Sequence, residues 1–233
     1  MMSQPQLSDE VRDWYWQLIE RFKFGYVFFR SLNFSTELPG EFVVLGYKLI
    51  SLFGCKQLAM ARHWRDAYFR CGNMIVRYWV EFAPEPKREL RRRIEELERR
   101  LKDELFSIEV SFPFFDTVIG MGEQPRIDSI LGTYRIQRIE LSYEPVRSKV
   151  TIRLKWHSTS AKVFPIEYVA VDFSSPSTYE INYNVTRSRK YDELAIAILT
   201  DIYNNRDILI NYISMAHDFL IQLIKGLATY LLY

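Results

Sequence analysis

Residues 84–105, PEPKRELRRRIEELERRLKDEL, decide how the chain is divided, because the residues before them repeat with a helical period and those after them alternate. Leu90, Ile94, Leu97, Leu101 and Leu105 recur at spacings of three and four, which lines them along one narrow stripe of a helix. Charged residues fill the rest of the surface. Glu89 and Arg93, Glu95 and Arg99, Glu96 and Arg100, and Glu98 and Lys102 are acid-before-base pairs one turn apart, each adding about 0.2–0.5 kcal/mol. Pro84 and Pro86 suit the entry turn, where a missing amide costs nothing. These features predict a charged connecting helix over 84–105. The stripe Leu90, Ile94, Leu97 and Leu101 is narrow enough to seat a helix of the same chain or of a second copy. Lys87, Arg88, Arg91, Arg92 and Arg93 crowd its amino end, where the helix dipole disfavours positive charge and an anionic partner would offset it.

On the amino-terminal side, Ser8 followed by Asp9 and Glu10 reads as a capped helix start. Val11, Tyr15, Leu18, Phe22, Phe29 and Leu32 share one face, predicting a helix to about Leu32. After the turn at Pro39 and Gly40, FVVLGYKLISLFG is nearly continuously apolar but shorter than the roughly 20 residues of a membrane span, so it reads as a buried helix. From Lys56 to Phe82, Leu58, Ala61, Trp64, Ala67, Tyr68, Cys71, Ile75, Tyr78 and Phe82 fit a further helix. Residues 1–83 are thus expected to be a helical region.

Beyond the connecting helix, SIEVSF alternates with Ile108, Val110 and Phe112 on one face, predicting a strand. Pro113 to Asp128 carries Gly120, Gly122 and Pro125 and reads as a loop, and an isolated GMG is too little for a phosphate cradle. TYRIQRIELSYE and RSKVTIRLKWH read as neighbouring antiparallel strands, and PIEYVAVDF and TYEINYNV supply two more. In RSKVTIRLKWH, Val150, Ile152, Leu154 and Trp156 point one way while Lys149, Thr151, Arg153, Lys155 and His157 point the other. From Lys190 the helical period returns, with Leu194, Ile198 and Ile202 on one side and a break at Asn204 and Asn205. Asp207 opens a last helix, apolar on almost every side, that must be shielded from water. Asp218 and Lys225 within it argue against membrane insertion, since a charge at the bilayer centre costs at least ~2.5 kcal/mol.

The expected fold class is therefore α+β: a helical amino-terminal third (1–83), the charged central helix (84–105), an antiparallel sheet of four or five strands (106–186), and two carboxyl-terminal helices (187–233) packing back on the first helices in one core. An apolar fraction of 48% with 26% charged residues excludes global disorder, and a net charge of +2 confines any nucleic-acid site to a local patch. Cys55 and Cys71, both in helix-patterned sequence, suggest reduced thiols in an intracellular, cytoplasmic protein, with a bridge between them left open. The leader-free start MMSQPQLSDE agrees with that location, and abundant Arg, Glu, Tyr and Ile with sparse Gln fits a thermophilic source.

Phosphate-loop, dinucleotide and nucleophile-elbow signatures are missing from the sequence, and His63, His157 and His217 form no zinc-type spacing. His63 and Asp66, one helical turn apart, read as a surface pair, and the His217 and Asp218 doublet lacks further ligand pattern. Glu167, Asp172 and Glu180 could converge as metal ligands, but cross-strand pairing with Lys149, Arg153 or Lys155 is the simpler account. No catalytic residue, metal or cofactor is expected. The reading favours a non-catalytic interaction or assembly protein that self-associates or binds another protein through apolar helices, with Leu90, Ile94, Leu97 and Leu101 as the seam. The alternative is a nucleic-acid-binding protein using Arg88, Arg91, Arg92, Lys149, Arg153 and Lys155, beside Arg135 and Gln137.

Overall fold

Asp9–Ser31 forms helix α1, whose cap is Ser8: its hydroxyl accepts from the Val11 amide at 3.5 Å, and Asp9 and Glu10 place negative charge in the first turn. Val11, Tyr15, Leu18, Ile19 and Phe22 are its buried face. The computed structural model describes residues 5–31, 48–61, 66–80, 104–111, 115–144, 147–158 and 165–231, with single positions at 92, 95, 96 and 99 between them.

Ten strands follow: β1 Lys56–Ala61, β2 Asp66–Cys71, β3 Met74–Val80, β4 Leu105–Ser111, β5 Phe115–Glu123, β6 Arg126–Ser129, β7 Gly132–Glu144, β8 Lys149–Ser158, β9 Tyr168–Ser175 and β10 Thr178–Tyr183. They make one sheet in the order β1-β2-β3-β5-β4-β7-β8-β9-β10, with β6 paired to β7. Among the described strands every neighbouring pair is antiparallel except β4 and β7, which run parallel from Ser107 opposite Arg138 to Ser111 opposite Ser142. The sheet is two antiparallel groups, β1-β2-β3-β5-β4 and β7-β8-β9-β10, joined along a single parallel ladder.

This overturns the expected helical amino-terminal third and the small, wholly antiparallel sheet. Residues 56–80 are three strands, not a helix, and Gly72 explains why: with φ +60° it forms, with Asn73, the two-residue turn between Cys71 and its partner Met74. Val76 and Tyr78 are buried on the core side, while Ile75 and Arg77 point to the other face. Three- and four-residue spacings of apolar groups had suggested a helix, but both faces of these strands carry apolar residues, so the helical fit was accidental. The same cause hid β5 in the expected loop. Thr117, Ile119 and Met121 are buried on one side and Val118 and Gly120 on the other, so no alternation survives. At Gln124 and Pro125 the chain leaves β4 and steps into the slot beside β7, with the Ile136 amide donating to the Pro125 carbonyl at 2.9 Å.

Arg92, Glu95, Glu96, Arg99 and Glu104 are helical and exposed. Leu105, expected to end that helix, instead opens β4 opposite Glu123. Leu90, Ile94, Leu97 and Leu101 lie outside the described residues, as do Arg88 and Arg91.

Two helices close the chain, α2 Arg189–Asn204 and α3 Asp207–Leu231. Ser188 caps α2 by accepting from the Tyr191 amide, and Asn205 ends it, its amide donating to the Asp201, Ile202 and Tyr203 carbonyls. With α1 these helices cover one face of the sheet: Trp16 of α1 meets Phe173 of β9 edge-on at 5.5 Å, and Tyr212 of α3 meets Phe106 of β4 at 5.3 Å. Leu209, Ile213, Ala216, Leu220, Leu223, Ile224 and Leu227 bury one side of α3. At Gly226 the helix touches Leu49 so closely that an added Cβ would lie 2.8 Å from a Leu49 methyl. The final helix is thus shielded by its own chain along one side.

Cys55 and Cys71 are joined in a disulfide, correcting the expectation of reduced thiols. It ties the turn after helical residues 48–52 to the end of β2, closing a loop with a sequence separation of 16. The spacing carried no helical signal once β2 is extended, and the hairpin brings Cys71 back to Cys55.

Candidate functional site

Strand alternation sends Lys149, Arg153 and Lys155 to the sheet face opposite the helices, where the sequence placed a basic stripe. The neighbouring strands supply acids at matching heights. Glu140 of β7 lies directly opposite Arg153; it is 3.2 Å from the Arg153 guanidinium, 2.9 Å from Lys155 Nζ and 3.9 Å from Arg138. Arg138 crosses the parallel junction to Glu109 at 2.7 Å and donates from Nε to Ser107 Oγ at 3.2 Å. Lys149 pairs with Asp172 at 2.6 Å, and the same carboxylate accepts from Thr151 and Asn182. Arg153 also stacks 5.0 Å from the Tyr168 ring centroid. Four cations meet three carboxylates across β4, β7, β8 and β9. The ladder binds strands to one another and leaves little unbalanced charge for a phosphate backbone.

Other sequence candidates are dispersed. Of the arginine cluster only Arg92 is described, and it is exposed. Asp66 lies in β2, so it is not one helical turn from His63, which is outside the described residues. His217 Nδ1 is 3.5 Å from its neighbour Asp218 and packs edge-on against Phe22 at 5.5 Å. Glu180 faces Arg187 at 3.6 Å, and Asp172 is used in the ladder. Among the described residues no group of three His, Cys, Asp or Glu is placed to hold a metal ion.

Under the helices lies one buried polar cluster. The Tyr134 hydroxyl donates to the Asp201 carboxylate, and the Tyr15 hydroxyl donates to the Leu199 carbonyl at 2.8 Å. Both rings are fully buried. Burial holds each phenol well above its ordinary range; Asp201 adds to this, through the hydrogen bond and its charge on Tyr134 and through its charge on Tyr15. These hydroxyls remain protonated donors, locking α1, α2 and β7 together.

The outer surface of α3 differs from the expectation of a helix apolar all round. Ile208, Asn211, Met215, Asp218, Gln222 and Lys225 recur at three- and four-residue steps and are all exposed, so the helix has a solvent stripe of mixed character. Met215 stands one turn from Phe219, whose ring meets Phe53 at 6.0 Å. Next to Phe53, Leu52 is 73% exposed. Leu52, Phe53 and Met215 thus form an uncovered apolar flank, with Ile208 exposed two turns earlier on α3. The three- and four-residue steps through 208–225 were visible in the sequence, but the abundance of Leu and Ile on the other side masked them.

No family model, curated protein or solved structure matches the chain. Among the described residues no helix is long and apolar enough to cross a membrane.

Proposed function

We propose that the chain is a non-catalytic assembly protein that pairs with a second copy of itself through the exposed flank of α3. The observation carrying this is the uncovered apolar group Leu52, Phe53 and Met215 beside and on an element whose other side is already packed. The same stripe carries opposite charges, Asp218 and Lys225, seven residues apart. Two α3 helices crossing antiparallel near Gln222 set Asp218 of each copy against Lys225 of the other, with Leu52 and Phe53, which run beside this part of α3, at the centre. Such a twofold contact is self-complementary in sign.

A sedimentation dilution series tests the proposal. The native chain is expected to shift from dimer to monomer on dilution, and Met215→Glu or Leu52→Asp to raise the dissociation constant by about 10- to 100-fold, the worth of one buried apolar side chain. A monomer at every concentration, or a dimer indifferent to both substitutions, refutes it. The sheet face receives no nucleic-acid role because its cations are already held by Glu109, Glu140 and Asp172. An intracellular location then belongs with a source whose intracellular proteins carry disulfides, given the Cys55 to Cys71 bridge.

A further inference from the structure

The opposite flank of α3 carries a different feature. Where α1 and α3 diverge they leave a hollow of about 70 Å³, floored by Leu18 and Ile213 and walled by Trp14 and Ile210. Leu18 and Ile213 are buried, whereas Ile210 is 44% exposed, so the hollow opens to solvent. Its volume suits one short aliphatic side chain.

Two arginines stand at its rim, Arg21 and Arg206, and each is held by a neutral partner. Arg206 stacks 4.2 Å from the Tyr203 ring centroid and donates to the Tyr203 carbonyl at 2.9 Å, while Trp14 packs edge-on against the same ring at 5.9 Å. Arg21 donates to Ser214 Oγ at 3.4 Å. Neither forms an ion pair with any carboxylate among the described residues, in contrast to Arg138 and Arg153 on the sheet. Two guanidinium groups are therefore oriented but not neutralised, on either side of an apolar hole. Tryptophan and arginine are the side chains that most often anchor protein interfaces, and paired arginines recognise carboxylates with directed, charge-assisted hydrogen bonds.

The geometry points to a second docking site, at which a partner protein inserts one aliphatic side chain between α1 and α3 and sets an adjacent Asp or Glu against Arg21 and Arg206. The site is on the other side of α3 from the self-association flank and stands or falls separately from it.

Display of random short peptides against the full chain, followed by fluorescence anisotropy of those enriched, tests the assignment. Enriched peptides are expected to carry Asp or Glu next to Leu, Ile or Met, and to weaken as salt rises. The double variant Arg21→Glu/Arg206→Glu is expected to weaken them by about tenfold or more, and Ile210→Glu likewise. Arg21→Gln/Arg206→Gln, which removes the charge and keeps the side-chain bulk, gives the same reading should charge reversal disturb folding. Enrichment of neutral or basic peptides, acidic peptides indifferent to these substitutions, or no enrichment over a blank surface overturns the inference. Peptides sensitive to Met215→Glu alone would do the same while leaving the self-association flank intact.

Discussion

Replacing Tyr134 by Phe removes one hydroxyl from a fully buried ring and leaves the Asp201 carboxylate without the donor it has in the native chain. A carboxylate deprived of one hydrogen bond costs about 1–2 kcal/mol, so the variant is expected to be less stable by that amount near neutral pH. The pH dependence gives a sharper test. Burial first, and Asp201 second, raise the Tyr134 phenol far above its ordinary value of about 10. A raised phenol contributes stability that is complete below the unfolded value and is lost as pH climbs above it, because only the unfolded chain then releases the proton. The loss is about 1.4 kcal/mol per pH unit for each such tyrosine. Tyr134→Phe deletes one term, so its stability falls less steeply in alkali than that of the parent. The initial deficit divided by that slope places the crossing of the two curves near about pH 11. Urea denaturation at a series of alkaline pH values reads both curves. Parallel curves with no convergence would show that Tyr134 ionises alike in the folded and unfolded chain, and the account of this cluster would be wrong.

Reduction of the Cys55 to Cys71 bridge, or Cys55→Ser with Cys71→Ser, frees a loop with a separation of 16 and is expected to cost about 3 kcal/mol, checked by denaturation with and without reductant. Glu140→Gln strips the carboxylate shared by Arg153 and Lys155. It is expected to destabilise by about 1–2 kcal/mol and to create salt-sensitive binding to a polyanion such as heparin that the native chain lacks; equal binding by both would refute the neutralised ladder. Gly122→Ala forces a side chain into φ +45° with its Cβ 3.1 Å from the Tyr212 hydroxyl, and a loss of about 1–3 kcal/mol is expected in thermal denaturation. Gly226→Ala sets a gain in helix propensity of about 1 kcal/mol against displacement of the buried Leu49, and a net loss is expected by the same measurement.

Several elements were legible in the sequence, although β1, with Lys56 and Gln57 exposed, and β6, with Arg126 and Asp128 exposed, were not. Ser8 with Asp9 and Glu10 marked the start of α1, the alternation through Lys149–Ser158 marked β8, and Asn204 with Asn205 marked the gap before α3. Burial on both sides hid β5, although β9, equally dry, kept a short run of strand-forming residues and was legible. In β5, Val118 and Ile119 are both buried, so the period of two that betrays a strand disappears and the two glycines looked like a loop. Chain order was equally silent about β4 lying parallel to β7, since that contact depends on β5 taking one side of β4 and β7 returning to the other. The sequence named the cations of β8 and the pairing of Asp172 with one of them, but not the part of Glu140, which meets Arg153 and Lys155 only through register. Leu52 and Phe53, expected in a buried helix, are exposed, and Arg21 and Arg206 carried no signal, for a related reason. Each matters by what lies beside it across helices distant in sequence.

The hydroxyl of Tyr15 reaches a carbonyl 184 positions further along the chain. While the polypeptide is being made, the apolar side of α1 therefore leaves the ribosome long before the segment that will cover it, and must wait through the synthesis of the entire sheet. Such a delay invites capture by a holdase or by neighbouring nascent chains. Slower translation through the strands is therefore expected to lower the yield of folded protein.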